Sequence, residues 1–258
     1  MIKNIVISLT SATERREHIK KEFGKHNVAF EFFDALTPET VSSYIKGLPY
    51  NFDSSGLSPI ELACMMSHVA IWQKMINENI PYITIFEDDV YLGQDAKYLL
   101  NSSEWIKPEW NIIKIETVYN KVFLASKSQD ILSSKRCITQ LKGKHLGAGG
   151  YILSLKGIKL LLDYTFNKPL LPIDEIVFKN FITQSSEPVY QMVPALCIQD
   201  IIINADKEAL ILPSSLEEDR RKRMRSEKKG GLAKISRETR RMVSQTKESL
   251  FAKQIPFN

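Results

Sequence analysis

Residues 81–90 read Pro81-Tyr82-Ile83-Thr84-Ile85-Phe86-Glu87-Asp88-Asp89-Val90, and this stretch decides the fold. Its β-branched and aromatic residues predict a buried strand of an α/β sheet. Three carboxylates follow at the carboxyl end of the strand, the edge where open α/β folds bind ligands. Adjacent carboxylates repel one another unless a cation or hydrogen-bond donors compensate. A Mn²⁺ or Mg²⁺ ion bridging to a diphosphate would do so. Taken alone, the three acids fit a solvated acidic turn equally well.

Strands and helices alternate on both sides of this stretch up to about residue 200. Further strands are predicted at Lys3–Leu9, Phe30–Phe33, Asn111–Glu116, Tyr151–Ser154 and Pro188–Pro194. Helical patterns fill most of the intervals, and a hairpin is expected within residues 120–142. This alternation predicts an α/β fold with a mostly parallel sheet flanked by helices.

The first strand runs into a hydroxyl-rich turn and a helix that should end near His26. Arg15 and Arg16 lie in the first turn of that helix, where the helix dipole favours phosphate. On these residues alone an exposed, solvated helix face is the favoured interpretation of both arginines. A second helix has a clear start, with Ser58 as N-cap, Pro59 next and Glu61 closing a capping box.

Three further sets of residues are weaker candidates for a site. Cys64 and His68 lie on one helix, and we expect core packing for Cys64 while His68 stays open. The segment Gly147-Ala148-Gly149-Gly150 lacks a P-loop lysine and precedes a strand, so it fits either a close approach to a ligand or a plain turn. Asp174 and Glu175 follow Pro172 at a helix start, where Asp174 either caps the helix or projects an oxygen into a cleft.

The composition narrows the class of protein. The chain has 258 residues, 43% of them hydrophobic, enough for a sizeable core. Three scattered cysteines and four histidines form no disulfide framework, zinc motif or HExxH spacing. The sequence predicts neither a signal peptide nor a transmembrane helix, and hence a cytoplasmic location.

Positive charge is concentrated at the end of the chain. Residues 219–258 contain 13 Lys/Arg and 4 Asp/Glu, whereas the whole chain has a net charge of +5. We therefore divide the chain into a body, residues 1–216, and a basic tail, residues 217–258. Apolar residues from Leu232 to Phe251 recur at helical spacing, which predicts an amphipathic helix that binds an anionic membrane surface. The tail has few aromatic residues for stacking on bases, so we expect no nucleic acid partner. A solvated or disordered tail is the alternative.

Several motifs, in matching order, resemble glycosyltransferase family 25, the lipooligosaccharide β-galactosyltransferases. The motifs are Ile5-Val6-Ile7-Ser8-Leu9 with Arg15-Arg16, Phe32-Phe33-Asp34-Ala35, Ala63-Cys64-Met65-Met66-Ser67-His68, Phe86-Glu87-Asp88-Asp89-Val90, Gly149-Gly150-Tyr151-Ile152, Pro172-Ile173-Asp174-Glu175 and Pro194-Ala195-Leu196-Cys197. The family pattern near the glycines is closer to Gly-Thr-Ala-Gly-Tyr, so a hydroxyl at position 148 is absent from this chain.

The resemblance implies a GT-A-like fold, a UDP-galactose or UDP-glucose donor, Mn²⁺ (or Mg²⁺) and inversion at the anomeric carbon. It implies a lipooligosaccharide acceptor, and therefore work at the cytoplasmic face of the inner membrane. Asp89 and Asp88 would hold the metal, and Asp174, or next Glu175, would be the catalytic base. The implied donor-binding residues are Ser8, Arg15, Arg16, His68, Glu87, Asp88, Glu116 and His145.

Two alternatives remain. One is a catalytically inactive nucleotide-binding or membrane-adaptor protein on a transferase fold. The other is a Mg²⁺-dependent phosphotransferase built on Glu87, Asp88 and Asp89, for which no phosphate-capturing loop of the usual type is present.

Overall fold

The computed structural model describes residues 2–50, 52–132, 134–205 and 252–258. The strands in these residues are β1 (Lys3–Ser8), β2 (Glu31–Asp34), β3 (Tyr82–Glu87), β4 (Val90–Leu92), β5 (Ile112–Lys114), β6 (Glu116–Thr117), β7 (Lys121–Val122), β8 (Leu124–Asp130), β9 (Cys137–Leu141), β10 (Gly150–Ser154), β11 (Tyr190–Val193), β12 (Cys197–Gln199) and β13 (Lys253–Gln254). The helices are α1 (Thr13–Lys25), α2 (Pro38–Lys46), α3 (Pro59–Asn77), α4 (Ala96–Asn101), α5 (Leu155–Phe166), α6 (Ile173–Glu175), α7 (Phe181–Gln184) and α8 (Asp200–Ile203), with a π-helical turn at Ile176–Asn180 between α6 and α7.

The main sheet has the strand order β2-β1-β3-β10-β5-β11-β9-β8. The neighbours β2/β1, β1/β3 and β5/β11 are parallel, whereas β10 is antiparallel to both β3 and β5. The pairs β11/β9 and β9/β8 are also antiparallel, the latter forming the hairpin expected within residues 120–142. The α/β class is confirmed, but the sheet is mixed, so the predicted mostly parallel sheet is wrong.

The direction of β10 explains the error. The predicted parallel sheet rested on the alternation of strands and helices, in which the strand at Tyr151–Ser154 was one member. A strand buried on both faces gives an apolar run whatever the direction of its neighbours. In the structure Gly150 pairs with Phe86, so β10 begins beside the end of β3 and runs back along it. The glycine segment therefore lies at the edge of the sheet that carries the three acids.

Several strand ends meet at this edge of the sheet. The carboxyl ends of the parallel strands β2, β1 and β3 lie side by side, with Ser8 opposite Asp34 and Ile7 opposite Glu87. Strand β5 also ends here, because Lys114 pairs with Tyr151 of β10. A small sheet, β4-β12-β6, follows at this edge, since β4 begins directly after the turn that ends β3.

Helices pack on both faces of the main sheet and enclose two cores. One core includes Met65, Met66 and Trp72 of α3, which are fully buried. The predicted start of α3 is confirmed: the Glu61 amide donates to Ser58 Oγ at 3.2 Å, and the Ser58 amide donates to Glu61 Oε2 at 3.0 Å. This capping box fixes the first turn of the helix that forms one wall of the candidate site.

Residues 252–258 pack against the body. Strand β13 pairs with β7, the Ile255 side chain is fully buried, and Thr117 Oγ1 donates to the Ile255 carbonyl at 2.8 Å. The Ala195 amide donates to the Pro256 carbonyl at 2.7 Å. These last residues, which the sequence division assigned to the tail, are thus part of the body.

Two predictions concern the rest of the tail. The boundary near residue 216 and the amphipathic helix from Leu232 to Phe251 lie outside the described residues and stay predictions. Within the described ranges, no helix combines the length and the apolar composition needed to cross a bilayer.

Candidate active site

An open cleft of about 490 Å³ lies at the edge where β1 and β3 end. One wall is a face of α3, where residues spaced three or four positions apart lie on the same side of the helix. The lining includes Ser8, Arg15, the segment 35–39, Ile60, Ala63, Cys64, Ser67, His68, Glu87, Asp88 and Asp89. Of the implied donor-binding residues, Ser8, Arg15, His68, Glu87 and Asp88 therefore share one cleft.

The three acids of the opening stretch lie at the base of this cleft. Glu87 ends β3, and Asp88 and Asp89 form the turn into β4, where both are buried. Burial raises the pKa of Asp89 to about 6, although the positive charge of Arg15 acts in the opposite direction. The pKa of Glu87 is raised well above its usual value, mainly by burial and next by the negative charge of Asp89. A solvated acidic turn is excluded, because buried carboxylates of this kind are compensated by donors or cations.

The two arginines of α1 have different surroundings. Arg15 forms ion pairs with Asp88 and, at 3.5 Å, with Asp89, so its charge offsets part of the acidic cluster. Arg16 instead donates to the Ser8 and Leu9 carbonyls and pairs with Asp34, with its guanidinium 4.7 Å from the Phe32 ring centre. Arg15 faces the cleft, whereas Arg16 ties the ends of β1 and β2 together and does not line it.

Gln199, at the end of β12, is a site residue that sequence reasoning missed. Its Nε2 donates to Glu87 Oε2 at 2.7 Å and to Asp89 Oδ1 at 3.2 Å. The adjacent Asp200 amide donates to the Asp89 carbonyl at 2.8 Å. These bonds exist because β12 pairs with β4, a long-range contact that leaves no periodic signal in the sequence.

A second group of charges lies beside the glycine segment. Lys114 is fully buried, and its Nζ is 2.7 Å from Glu116 Oε2 and donates to the Gly147 carbonyl. The Gly149 amide donates to Glu116 Oε2 at 3.0 Å. A Cβ at Gly147 or Gly149 would approach the Glu116 carboxylate to about 2.9 Å, and Gly147 has φ of +100°. The glycines are therefore required for close approach to Glu116 and for a left-handed turn.

Asp174 joins this group through the backbone. Its Oδ2 accepts a hydrogen bond from the Gly147 amide at 3.2 Å, and its Oδ1 accepts from the Glu175 amide at 2.9 Å. Helix α6 begins at Ile173 after Pro172, so Asp174 lies inside the first turn and the N-cap alternative is wrong. Asp174 is near enough to contribute, after burial, to the raised pKa values of Glu87 and Glu116. Glu175 pairs with Lys179 one turn further along.

The two histidines named from the resemblance are both buried. His68 Nδ1 is 2.7 Å from Tyr151 Oη, and His145 Nδ1 is 2.8 Å from Gln191 Oε1. Burial lowers the pKa of each imidazole to about 3. His68 lines the cleft, whereas His145 does not and is close enough to Lys114 for that charge to lower its pKa further.

The described acidic side chains of the site offer oxygen atoms, which are the ligands that hard cations prefer, but they do not form a complete set of metal ligands. In the described ranges no three His, Cys, Asp or Glu side chains are arranged to hold a metal ion. Mg²⁺-type ions bound together with a substrate phosphate need only one or two protein carboxylates, and Asp88 and Asp89 supply them. Glu116 Oε1, buried at the same edge, has no hydrogen-bond partner among the described residues. These carboxylate oxygens are donors of the kind that Mn²⁺ and Mg²⁺ prefer.

Sequence comparison relates the chain to known proteins. The chain is 39% identical to the lipooligosaccharide biosynthesis protein lic2B of Haemophilus influenzae, with 90% of this chain and 88% of that protein covered. It is 38% identical to the lacto-N-neotetraose biosynthesis glycosyltransferase LgtB of Neisseria meningitidis serogroup B, with 78% and 76% covered. A crystal structure of a glycosyltransferase involved in glycosylation of the major capsid of PBCV-1 matches with a TM-score of 0.41 and 11% identity, covering 86% of this chain and 98% of that one. The profile of glycosyltransferase family 25 (LPS biosynthesis protein) matches residues 1–177, and the chain belongs to this family.

Proposed function

We propose that the chain is an inverting, metal-assisted glycosyltransferase on a GT-A-like fold. It transfers galactose or glucose from a UDP-sugar to a hydroxyl of a lipooligosaccharide. The observation that supports this most strongly is the charge at the cleft edge. The carboxylates of Glu87, Asp88 and Asp89 lie together there, and in the described ranges the Arg15 guanidinium pairs with two of them, Asp88 and Asp89. Carboxylates in this excess favour a divalent cation together with the phosphates that it binds.

In this proposal the residues of the cleft bind the UDP-sugar donor and the cation. Asp89 and Asp88 hold the cation, and Gln199 fixes Glu87 and Asp89 by hydrogen bonds. Arg15 presents a planar guanidinium that matches phosphate oxygens as well as it matches carboxylates. The cation, when bound, supplies Lewis-acid stabilisation of the departing diphosphate.

Asp174 is the proposed catalytic base. The acceptor hydroxyl oxygen forms the new bond to the anomeric carbon while the bond from that carbon to the UDP oxygen breaks, with its electron pair leaving on UDP. The hydroxyl proton passes to Asp174, whose carboxylate is oriented by the Gly147 and Glu175 amides. A single displacement of this kind inverts the anomeric carbon. Glu175 is the second candidate, but its carboxylate is already paired with Lys179.

The same proposal includes a lipooligosaccharide acceptor and binding of the enzyme to the membrane that carries it. The relatives lic2B and LgtB carry names that refer to lipooligosaccharide and lacto-N-neotetraose synthesis. An acceptor anchored in lipid favours an enzyme held at the cytoplasmic face of the inner membrane, and the 13 Lys/Arg of residues 219–258 suit anionic lipid. Because Ile255 packs in the body, truncation is a poor test of the tail. Replacement of Arg220, Arg221, Arg223 and Arg225 by glutamine, followed by flotation with phosphatidylglycerol vesicles, should reduce membrane binding.

The function is tested by incubating the protein with a panel of UDP-sugars and a lipooligosaccharide acceptor, with and without Mn²⁺. We expect metal-dependent transfer, no transfer by Asp89→Asn, and a loss of about 10²- to 10⁴-fold in Asp174→Asn with donor binding preserved. Asp130→Asn, on the exposed strand β8, is the matched control. UDP binding without turnover under every condition would refute the enzyme and favour the nucleotide-binding adaptor. Full activity of Asp174→Asn would remove that residue from the mechanism.

A further inference from the structure

His68 has one buried nitrogen that the structure leaves without a partner. The side chain is fully buried on α3, and its Nδ1 is 2.7 Å from Tyr151 Oη. Among the described residues its Nε2 has no hydrogen-bond partner, although it is as buried as Nδ1. His68 is one of the residues that line the cleft, together with Glu87, Asp88 and Asp89.

The number of protons on the pair can be counted. Burial lowers the pKa of His68 to about 3, so at neutral pH the imidazole is uncharged and carries one N–H. Burial also raises the pKa of Tyr151 well above its usual value, so the phenol keeps its proton. Two arrangements are then open: Nδ1–H donates to Tyr151 Oη, or Tyr151 O–H donates to a bare Nδ1 and the imidazole proton lies on Nε2.

The surroundings of Tyr151 decide between these arrangements. If Nδ1 carried the proton, the buried phenol O–H would need another acceptor. In the described part of the chain, the hydrogen bond that Tyr151 Oη makes with another side chain is the one to His68 Nδ1, and the nearby Trp72 indole can only donate. A buried donor without an acceptor is costly, so the arrangement in which Tyr151 donates to Nδ1 is favoured. It leaves Nε2–H as a buried donor without a partner among the described residues, on a side chain that lines the cleft.

We propose that Tyr151 fixes His68 as the Nε2–H tautomer, and that this N–H donates a hydrogen bond to an oxygen of the bound nucleotide sugar. The ligand in this statement rests on the proposed function, whereas the tautomer does not. Tyr151 is a positioning residue, and His68 is a neutral binding group rather than an acid or a base. An uncharged donor forms no ion pair with the three acids that line the same cleft, so it remains available to the substrate.

His145 provides an internal reference. Gln191 Nε2 donates to the carbonyls of Glu116 and Met192, at 3.2 and 2.9 Å, so its Oε1 is the atom that faces His145. An oxygen only accepts, and His145 Nδ1 must therefore carry the proton. The two buried histidines are thus expected as opposite tautomers in the same protein.

The test is NMR of the full chain labelled with ¹⁵N-histidine, without ligand. We expect a protonated Nε2 for His68 and a protonated Nδ1 for His145, unchanged between pH 5.5 and 8, with assignment by His68→Gln and His145→Gln. Addition of UDP or UDP-galactose with Mn²⁺ should shift the His68 Nε2–H resonance. A shift with UDP places the accepting oxygen on the nucleotide part, and a shift only with the sugar nucleotide places it on the hexose. A protonated Nδ1 on His68 would overturn the proposal.

Kinetics separate a positioning role from a structural one. Tyr151→Phe frees the tautomer, and we expect the donor KM to rise about three- to tenfold with kcat and the pH profile little changed, as befits one hydrogen bond. The matched control is Tyr164→Phe, because the Tyr164 hydroxyl donates to the exposed side chain of Gln184. This variant should leave the donor KM unchanged. If calorimetry shows that the ligands bind while the Nε2–H resonance stays fixed, the proposal fails. If no ligand binds, the proposed function and the donation to substrate both fail, and the tautomer is judged from the ligand-free spectrum.

Discussion

Replacement of Lys114 by methionine removes one charge from a fully buried ion pair. The methionine keeps most of the apolar stem, so the packing against Phe178, whose ring centre is 4.4 Å from Nζ, is largely retained. The Glu116 carboxylate, whose Oε2 is 2.7 Å from Nζ, then loses its cation. The Gly147 carbonyl loses its donor as well. The variant therefore isolates the electrostatic contribution of the pair.

The expected cost follows from two limits. Breaking a buried ion pair by removal of one partner costs about 3–5 kcal/mol if the other charge stays ionised. Glu116 can instead take up a proton, which for a carboxyl with a usual pKa of 4.5 costs at most about 3 kcal/mol at pH 7. The lost bond to Gly147 adds about 1 kcal/mol. We therefore expect Lys114→Met to lower the free energy of unfolding by about 3–4 kcal/mol at pH 7.

The sign of the pH dependence is also fixed. Burial already raises the pKa of Glu116, and removal of Lys114 raises it further. A carboxyl with a raised pKa in the folded state favours folding at low pH and loses that contribution as the pH rises through the folded-state value. The cost of Lys114→Met should thus fall to about 1–2 kcal/mol at pH 5, since protonation there costs under about 1 kcal/mol.

Urea unfolding at pH 5 and pH 7 measures both quantities. The double variant Lys114→Met/Glu116→Gln keeps an acceptor for the Gly149 amide and carries no buried charge, so it should recover most of the stability at pH 7. An equal loss at both pH values would refute the role given to the Glu116 charge. A double variant no more stable than Lys114→Met would do the same.

Three further predictions concern the same edge of the sheet. The pKa of Asp89 is raised from 3.8 to about 6 in the folded protein. The protonated Asp89 side chain therefore stabilises the folded state fully below pH 3.8, and this stabilisation is lost as the pH rises through 6. Relative to Asp89→Asn, the wild type should lose up to about 3 kcal/mol between pH 4 and pH 7 in urea unfolding, and a constant difference would contradict this. Gly149→Ala places a Cβ 2.8 Å from Gln199 Cγ and should impair transfer, whereas Gly24→Ala has open space within α1 and should leave transfer unchanged, as paired kinetic assays would show. Ser58→Ala removes the N-cap of α3 and should lower the free energy of unfolding by about 1 kcal/mol, and an unchanged thermal midpoint would argue against the cap.

The elements that the sequence predicts correctly are those with local signals. The strand β3 with its acidic end, the capping box at Ser58 and the strand predicted at Asn111–Glu116 all follow from residue period and capping chemistry, although the structure divides the last into β5 and β6. The antiparallel direction of β10 has no such signal. It becomes visible only in the register of the sheet, where Gly150 pairs with Phe86 and Ser154 pairs with Tyr82.

The candidate site divides in the same way. The acids of β3 and the Asp174 motif are recognisable as contiguous motifs, but Lys114 and Gln199 are not. Lys114 lies between two isoleucines, and alternation in a strand would place a lysine on a solvated face. It is buried because Glu116, two residues on and on the same side, provides its counter-ion. Gln199 reaches Glu87 only through the pairing of β12 with β4. Such partners become visible once register and direction are known.

The distribution of charge explains why the two halves of the site behave differently. Lys114 and Glu116 form a buried pair, and their bonds to the glycine segment hold the Gly147 amide against Asp174. The other half is less balanced, since the single charge of Arg15 is shared by Asp88 and Asp89 while Glu87 accepts from the neutral Gln199 amide. A pKa near 6 for Asp89 means that its protonation state changes just below neutral pH. The side of the cleft proposed for the cation therefore keeps a carboxylate that a proton or a metal can occupy, whereas the side proposed for proton transfer is fixed in place.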